Sequence, residues 1–480
     1  MGALKDKTVK GMIWGGLDVF FTKGVGFIFN LLIARQLSPG DYGVIAILSV
    51  IMAICQCFVD SGFGAALVRK CKCSETDLST VFYFTLSVAL LFYILLCTGS
   101  PLIADFYDYP PLADLTKIYS LILIINSLSI VQHAKLTIEV NFKAFAKISV
   151  IAAIISGSTT LYLAYKGYGI WSLVIQSLTN TTIRTILLWG CNRWKPKAVF
   201  SWKSLNEHFS FGSKLLGSSL INTLYNNIYT LVIGKVYSPE SLGAYNKGES
   251  IIKFPSETIT TIIGNVSYPI LSSIKDNRSR YTDAYRKLTR MTSFIIFPMV
   301  IGVAAIADPF IRICLTDKWE MAIPVIEVLS LSLLWSPITN IDLTMLKVVG
   351  RSDYFLRITI ITKIISILAL ITTIKLGLII VCAGQVLATT AYLIIIAHYT
   401  QKAFNYGIKK KIFDCGMYFI LALLMGGIVL FVESFMPNSY LKLFIGIPAG
   451  ILSYFSMAKM LKIKELDQLI EIIHNRFNKR

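Results

Sequence analysis

Apolar residues in this chain fall into runs of about 20 or more, divided by short polar connections, and rarely alternate with polar residues at the strand period of two. Such runs predict fourteen helical spans, at roughly 11–34, 42–67, 78–103, 115–139, 148–165, 169–190, 211–234, 243–272, 291–311, 321–346, 358–374, 377–400, 415–432 and 441–458. A bilayer core of about 30 Å takes about 20 helical residues to cross. The pattern therefore predicts an all-α, polytopic membrane protein. The last stretch, LKIKELDQLIEIIHNRFNKR, spaces Leu466, Leu469, Ile470, Ile473 and Phe477 along one helical face. It predicts an amphipathic helix over 462–480, resting on the inner leaflet or on the protein itself.

A repeat organises the spans. LLIARQLSPGDYG at 31–43 returns as LVIGKVYSPESLG at 231–243, closing span 1 and span 7 respectively. Ser38 is placed to cap the next helix, Pro39 to be its first residue and Asp41 to favour its N-terminus; Ser238, Pro239 and Glu240 repeat the device. Six spans separate the copies, so both units enter the membrane in the same orientation, as parallel repeats. A second echo pairs PLIADFY at 101–107 with PFIRICL at 309–315, and Gly169 with Gly377. The expected organisation is a six-helix lobe over 1–191, a cytoplasmic linker at 192–203 and a second six-helix lobe over 204–404. Helices 13 and 14 follow at 405–461, and the tail at 462–480.

Composition adds direction. The chain is 55% hydrophobic and 15% charged, with a net charge of +19. In a soluble protein that charge would suggest nucleic acid. Here alternate connections, counted with both termini, hold 31 Lys or Arg against seven in the opposite set, so both ends are expected in the cytoplasm and no nucleic acid is implied. The nine cysteines lie mostly within apolar runs, as small hydrophobes do, and not in a disulfide framework. The N-terminus runs into span 1 without a cleavage pattern, which predicts no cleaved signal peptide.

Some charges remain within the spans. Lys23 and Lys253 lie near the middle of spans 1 and 8, where an exposed cation costs about 3 kcal/mol or more. Glu249, Lys253 and Glu257 share one helical face. Lys23 has Asn30 on its face and Asp18 on the cytoplasmic side; span 2 adds Gln56 and Asp60; span 7 adds Ser219, Asn222, Asn226 and Tyr229. Spans 1, 2, 7 and 8 are equivalent pairs in the repeat, so their polar faces predict a cavity between the lobes. Gln132, Lys135 and Glu139 on span 4, and Asn340 and Asp342 on span 10, extend the set. The alternative is that Glu249, Lys253 and Glu257 neutralise one another as a lock. Arg184 and Lys363 stand between these residues and cations close enough to a span end to reach the headgroups. Prolines at 255, 269, 298, 324, 337 and 448 predict kinks.

No P-loop is encoded, the four histidines are far apart, and no external loop exceeds about a dozen residues. Movement of a substrate fits better than chemistry on it, so no enzyme activity and no cofactor are expected.

RQLSPGDYG, FVDSGFGAALVRK at 58–70, ETDLSTVFYF at 75–84, the stretch at 126–157 and GYGIWSLVIQ at 167–176 together resemble the Wzx-type, colanic acid exporter-like flippases. These belong to the polysaccharide-transport branch of the multidrug/oligosaccharidyl-lipid/polysaccharide (MOP) superfamily. The resemblance implies two six-helix lobes arranged as a V with two extra helices, in the bacterial inner membrane. It implies an undecaprenyl-diphosphate-linked oligosaccharide as substrate, with membrane lipids, a polysaccharide polymerase and chain-length machinery as partners. It also implies cations on the cavity helices that meet the diphosphate; by position these are Lys23 and Lys253, with Lys135 nearer the mouth. Asn222, Asn226 and Tyr229 would meet sugars, and Asp60, Glu249 or Glu257 would exchange Na⁺ or H⁺. A multidrug exporter of the same superfamily, or a membrane polysaccharide polymerase or ligase, are the alternatives.

Overall fold

A computed structural model describes residues 24–70, 72–139, 141–192, 194–273 and 278–477. Lys23 and Asp18 lie outside the described residues. All regular structure in the described residues is helical. The chain divides into two compact units, residues 1–246 and 247–480.

In the first unit, α1 (Gly24–Gln36) leads through Ser38 into α2 (Pro39–Asp60). The Ser38 hydroxyl accepts from the Asp41 amide at 3.2 Å, and the Asp41 carboxylate accepts from the Ser38 amide at 3.0 Å. This is a reciprocal cap that satisfies two orphan donors, and it begins at the proline the sequence nominated. Asp60 ends α2, because Ser61 and Gly62 take left-handed φ of 42° and 71°; α3 (Phe63–Lys70) follows. The same Ser-x-x-Asp device, Ser74 with Asp77, starts α4 (Glu75–Phe106). Expected span 4 is a broken run of α5 (Leu112–Tyr119), α6 (Leu121–Ser127) and α7 (Ile130–Ile138). Two long helices, α8 (Phe142–Tyr165) and α9 (Ile170–Asn192), pack together along their length. After a short linker, Ser201 caps α10 (Trp202–Val236), and Ser238 accepts from the Ser241 amide at the start of α11 (Pro239–Ser273).

The two copies of the repeated motif meet. A Cβ on Gly43 would fall on the Pro239 carbonyl oxygen, and a Cβ on Gly243 would fall on that of Pro39. The N-terminal turns of α2 and α11 therefore cross backbone to backbone, reciprocally, and the glycines permit it. Along α2, Ile47 packs against Gly234 of α10; at its far end the Ser61–Gly62 turn rests on Gly212 of the same helix. Helix α10 thus lies along α2 in the first unit, although the duplication assigns its sequence to the second repeat.

The second unit holds the rest of α11, then α12 (Arg278–Ala305), α13 (Ala307–Cys314), a 3-10 turn at Asp317–Trp319, α14 (Ala322–Leu333) and α15 (Ser336–Val348). It continues with α16 (Ser352–Thr373), α17 (Leu378–Phe404), α18 (Ile408–Ser434), α19 (Ser439–Met460) and α20 (Lys464–Phe477). Pro309 and Pro337 each sit in the first turn of the helix after a break, where the missing amide costs least. Pro298 and Pro448 remain inside α12 and α19. The α20 tail lays Leu466 and Leu469 on the protein, Leu469 against the groove between α12, α18 and α19, and leaves Ile470 exposed.

Among the described residues, ten helices or helix runs are long and apolar enough to cross a membrane. Exposed leucine, isoleucine and phenylalanine cover the outer faces of α4, α16, α18 and α19, as a lipid-facing surface requires. Helices α9, α10 and α11 coincide with expected spans but fall short on apolarity because of their Asn, Thr, Ser and charged residues.

Replacing Gly43 or Gly243 by Ala forces the crossing apart, and overpacking of this kind costs about 1–3 kcal/mol. The purified variants are expected to unfold at lower temperature than the parent, whereas Gly24→Ala in open space leaves the midpoint unchanged. Equal midpoints for all three would contradict the crossing.

Candidate functional site

A polar cavity of about 830 Å³ opens inside the first unit. It lies where α2 breaks. The break ends one helix at Asp60 and turns the chain into α3, leaving room beneath α6, α7, α9 and α10. One wall carries a relay of side chains: Asn126 donates to Gln56 at 3.2 Å, and Gln56 donates to Asp60 at 2.9 Å. Across from α2, α9 brings Thr181, Arg184 and Thr185, one helical face at i, i+3 and i+4. Ser129, His133 and Thr137 of the broken span 4 and Ser219 of α10 complete the polar lining.

The scaffold that holds these groups is itself hydrogen-bonded. Trp189 of α9 donates to the Leu128 carbonyl at 2.8 Å, which the break between α6 and α7 leaves open. Asn192 donates to the Gln132 carbonyl at 2.7 Å, and Gln132 donates to the Trp194 carbonyl at 3.1 Å. Thus α9 satisfies the carbonyl left open by the break, and the Gln132 side chain ties α7 to the linker after α9. His133 rests against Phe145, ring centroids 4.7 Å apart. Near the linker, Asp77 ties α3, α4 and α10 by accepting from Ser204 at 2.6 Å and pairing with Lys70 at 3.0 Å.

Arg184 is the cation of this cavity. It is exposed on the wall and pairs with no carboxylate among the described residues. The sequence reading left it among intermediate cases, although QSLTNTTIRTIL carries a polar stripe of the kind that singled out span 7.

The residues named from sequence are distributed differently. Asp60 and Ser219 line the cavity. Lys135 and Glu139 stand on or just beyond α7 and are not part of its lining, nor are Asn222, Asn226 and Tyr229 of α10. In the second unit, Lys253 pairs with Glu249 at 2.8 Å within one helix, while Glu257 is exposed a turn further on. Asp342 is not a cavity residue: it is fully buried, accepting from Lys411 of α18 and Tyr285 of α12. One turn along α18, Asp414 takes Arg286 at 2.8 Å, Arg290, and the Tyr406 hydroxyl at 2.7 Å. Lys411 and Asp414 fall between the expected spans 377–400 and 415–432; packed between α12 and α15, they fasten the start of α18. The second unit also contains an apolar cavity of about 400 Å³ between α12, α18 and α19, lined by Phe294, Pro298, Val303, Met425, Ile447 and Tyr454 among others.

The described residues define a class by fold: a many-helix membrane protein with broken helices around an internal polar cavity. Comparison with known proteins makes it specific: residues 32–324 match the family described as polysaccharide biosynthesis protein, and the chain belongs to that family. It is 29% identical to the teichuronic acid biosynthesis protein TuaB of Bacillus subtilis over 62% of each chain. It is 24% identical to the lipopolysaccharide biosynthesis protein WzxC of Escherichia coli, over 68% of this chain and 67% of that one. The chain thus aligns with about two thirds or less of the length of these relatives. In fold it is similar to the lipid II flippase MurJ in an inward closed conformation, with a TM-score of 0.76, 18% identity, and coverage of 94% of this chain and 98% of that one. It is also similar to an inward-facing multidrug resistance MATE transporter of the MOP superfamily, with a TM-score of 0.61, 14% identity, and coverage of 79% and 94%.

Breaking the buried Asp342–Lys411 pair leaves one charge unmatched in an apolar interior, which costs about 3–5 kcal/mol. Asp342→Ala is therefore expected to lower the unfolding midpoint much more than Glu257→Ala, which removes an exposed carboxylate. Thermal unfolding of the purified variants checks this, and equal losses would contradict it.

Proposed function

We propose that this protein is a flippase that moves a lipid-linked oligosaccharide, an undecaprenyl-diphosphate repeat unit, across the bacterial inner membrane for surface polysaccharide synthesis, and that it is not an enzyme. The observation that carries the reading is the polar cavity of the first unit, with Arg184 on its wall and no carboxylate among the described residues paired with it. A cation without a carboxylate in such a place calls for an anionic ligand. Its planar fork suits the two oxygens of a phosphate, where a lysine would act as a point charge. The Asn126–Gln56–Asp60 relay, with Thr181 and Ser219, offers the donors and acceptors that sugar hydroxyls use. Family membership and the printed names of relatives, which concern teichuronic acid and lipopolysaccharide biosynthesis, support a polymer precursor as cargo. A drug exporter has less use for an arginine that no carboxylate among the described residues pairs.

In this reading alternating access exposes the cavity first to the cytoplasmic and then to the periplasmic side, with both termini cytoplasmic and fourteen spans in two lobes. The polyprenyl chain stays in the lipid. A polymerase and chain-length machinery receive the product.

Arg184→Ala is expected to abolish polymer export in a flippase-deficient strain, a loss of at least about tenfold if one charge-assisted phosphate contact worth about 1.5–3 kcal/mol is removed. Arg184→Lys is expected to retain part of it. Surface polymer, normalised to membrane-inserted protein, is the measurement; full export by Arg184→Ala would overturn the assignment of the cavity.

A further inference from the structure

Glu433 occupies the last turn of α18 and is 6% exposed. Its Oε1 is buried and has no hydrogen-bond partner. The carboxyl fits a niche opened by Gly446 of α19, where a Cβ would stand 3.1 Å from that oxygen and 3.5 Å from Val429. Both Gly446 and Val429 also line the apolar cavity of the second unit, so the niche is the end of that groove.

The charges that act on Glu433 are Lys442 of α19 and Asp308 of α13, of opposite sign. Lys442 does not reach ion-pair contact with it, and Asp308 is engaged by Arg312 at 2.7 Å, which also holds Asp317 and Glu320. The end of α12 contributes Gly302, Val303, Ala304 and Ala305, and α17 carries no acid or base before His398. Neither helix offers a counter-charge. An ionised carboxylate here would be buried with one oxygen unmet, and a group in that position neutralises instead.

We infer that Glu433 is a proton-binding site: in this conformation its carboxyl holds a proton, and it releases that proton when it leaves the Gly446 niche toward Lys442. Resting on the transport reading above, this assigns the coupling ion as H⁺ and its carrier as a residue of α18. Asp60, Glu249 and Glu257 are less suited, being bound to Gln56, paired with Lys253, and exposed, respectively. Nothing in the FVESFMPNSYLK stretch distinguished Glu433 from an ordinary helix-end acid.

Infrared difference spectroscopy of the full-length protein in bilayers, titrated from mildly acidic to alkaline pH, tests the site directly. The wild type is expected to show the carbonyl stretch of a protonated carboxyl in a dry setting, lost with Glu433→Gln. Gly446→Ala, which keeps the acid but crowds its niche, is expected to shift that band. Should Glu433→Gln fail to fold, the shift in Gly446→Ala decides the matter. Identical spectra for the wild type and the variants overturn the proposal. In proteoliposomes carrying a fluorescent polyprenyl-diphosphate oligosaccharide, an imposed proton gradient is expected to speed flipping several-fold in the wild type and not in Glu433→Gln. An equal response in both overturns the coupling. A band without flipping in either sinks the transport reading and leaves the proton site standing.

Discussion

Two helix N-termini that cross backbone to backbone organise the first unit. Pro39 and Pro239 each begin a helix and leave a carbonyl that the other helix's glycine, Gly243 or Gly43, can approach without a side chain between them. In an apolar medium little hydrophobic force presses helices together, so such close approaches supply much of the association. The same economy recurs along α2: Ile47 meets Gly234, and the Ser61–Gly62 turn rests on Gly212. Helix α2 is thus held to its neighbours at both ends by positions without side chains, and its far end is free to break. The polar cavity opens at that break.

Polar groups in this molecule follow two strategies with different consequences. Asp342 and Asp414 are buried and fully engaged, by Lys411 and Tyr285 in one case and by two arginines and Tyr406 in the other. Such pairs gain little net stability over apolar packing, yet they fix which helices meet, because any other packing would strand a charge. Arg184 is the reverse case. Its helix sets it on a polar wall beside Thr181 and Thr185, and no carboxylate among the described residues pairs with it. Asp342 and Arg184, which read alike in the sequence as charged residues inside spans, are told apart only by what surrounds them.

The sequence by itself determined a great deal about helices. Run length placed most of them, the Ser-Pro device started α2 and α11 where expected, and the repeat announced that α2 and the start of α11 were equivalent. These are local properties: a cap needs only three neighbouring residues, and a span needs only a run of apolar ones. The breaks were less legible. A proline foretold the one before Pro337, but nothing short of the fold showed that Ser61 and Gly62 would turn left-handed against Gly212.

The site was legible only in part, for a physical reason. Helical periodicity says which residues share a face but not what that face meets. Asp60, Ser219 and Arg184 converge because α2 stops short and α9 passes opposite, which is a matter of packing between segments more than a hundred residues apart. Asn222, Asn226 and Tyr229 occupy the same helix as Ser219 and are not part of that lining; Asp342, a candidate for coupling or charge pairing, is paired with Lys411. The charge pattern determined that buried polar residues would matter. Only the tertiary structure decided which had partners among the described residues and which lined the cavity, because a partner in space has no fixed distance along the chain.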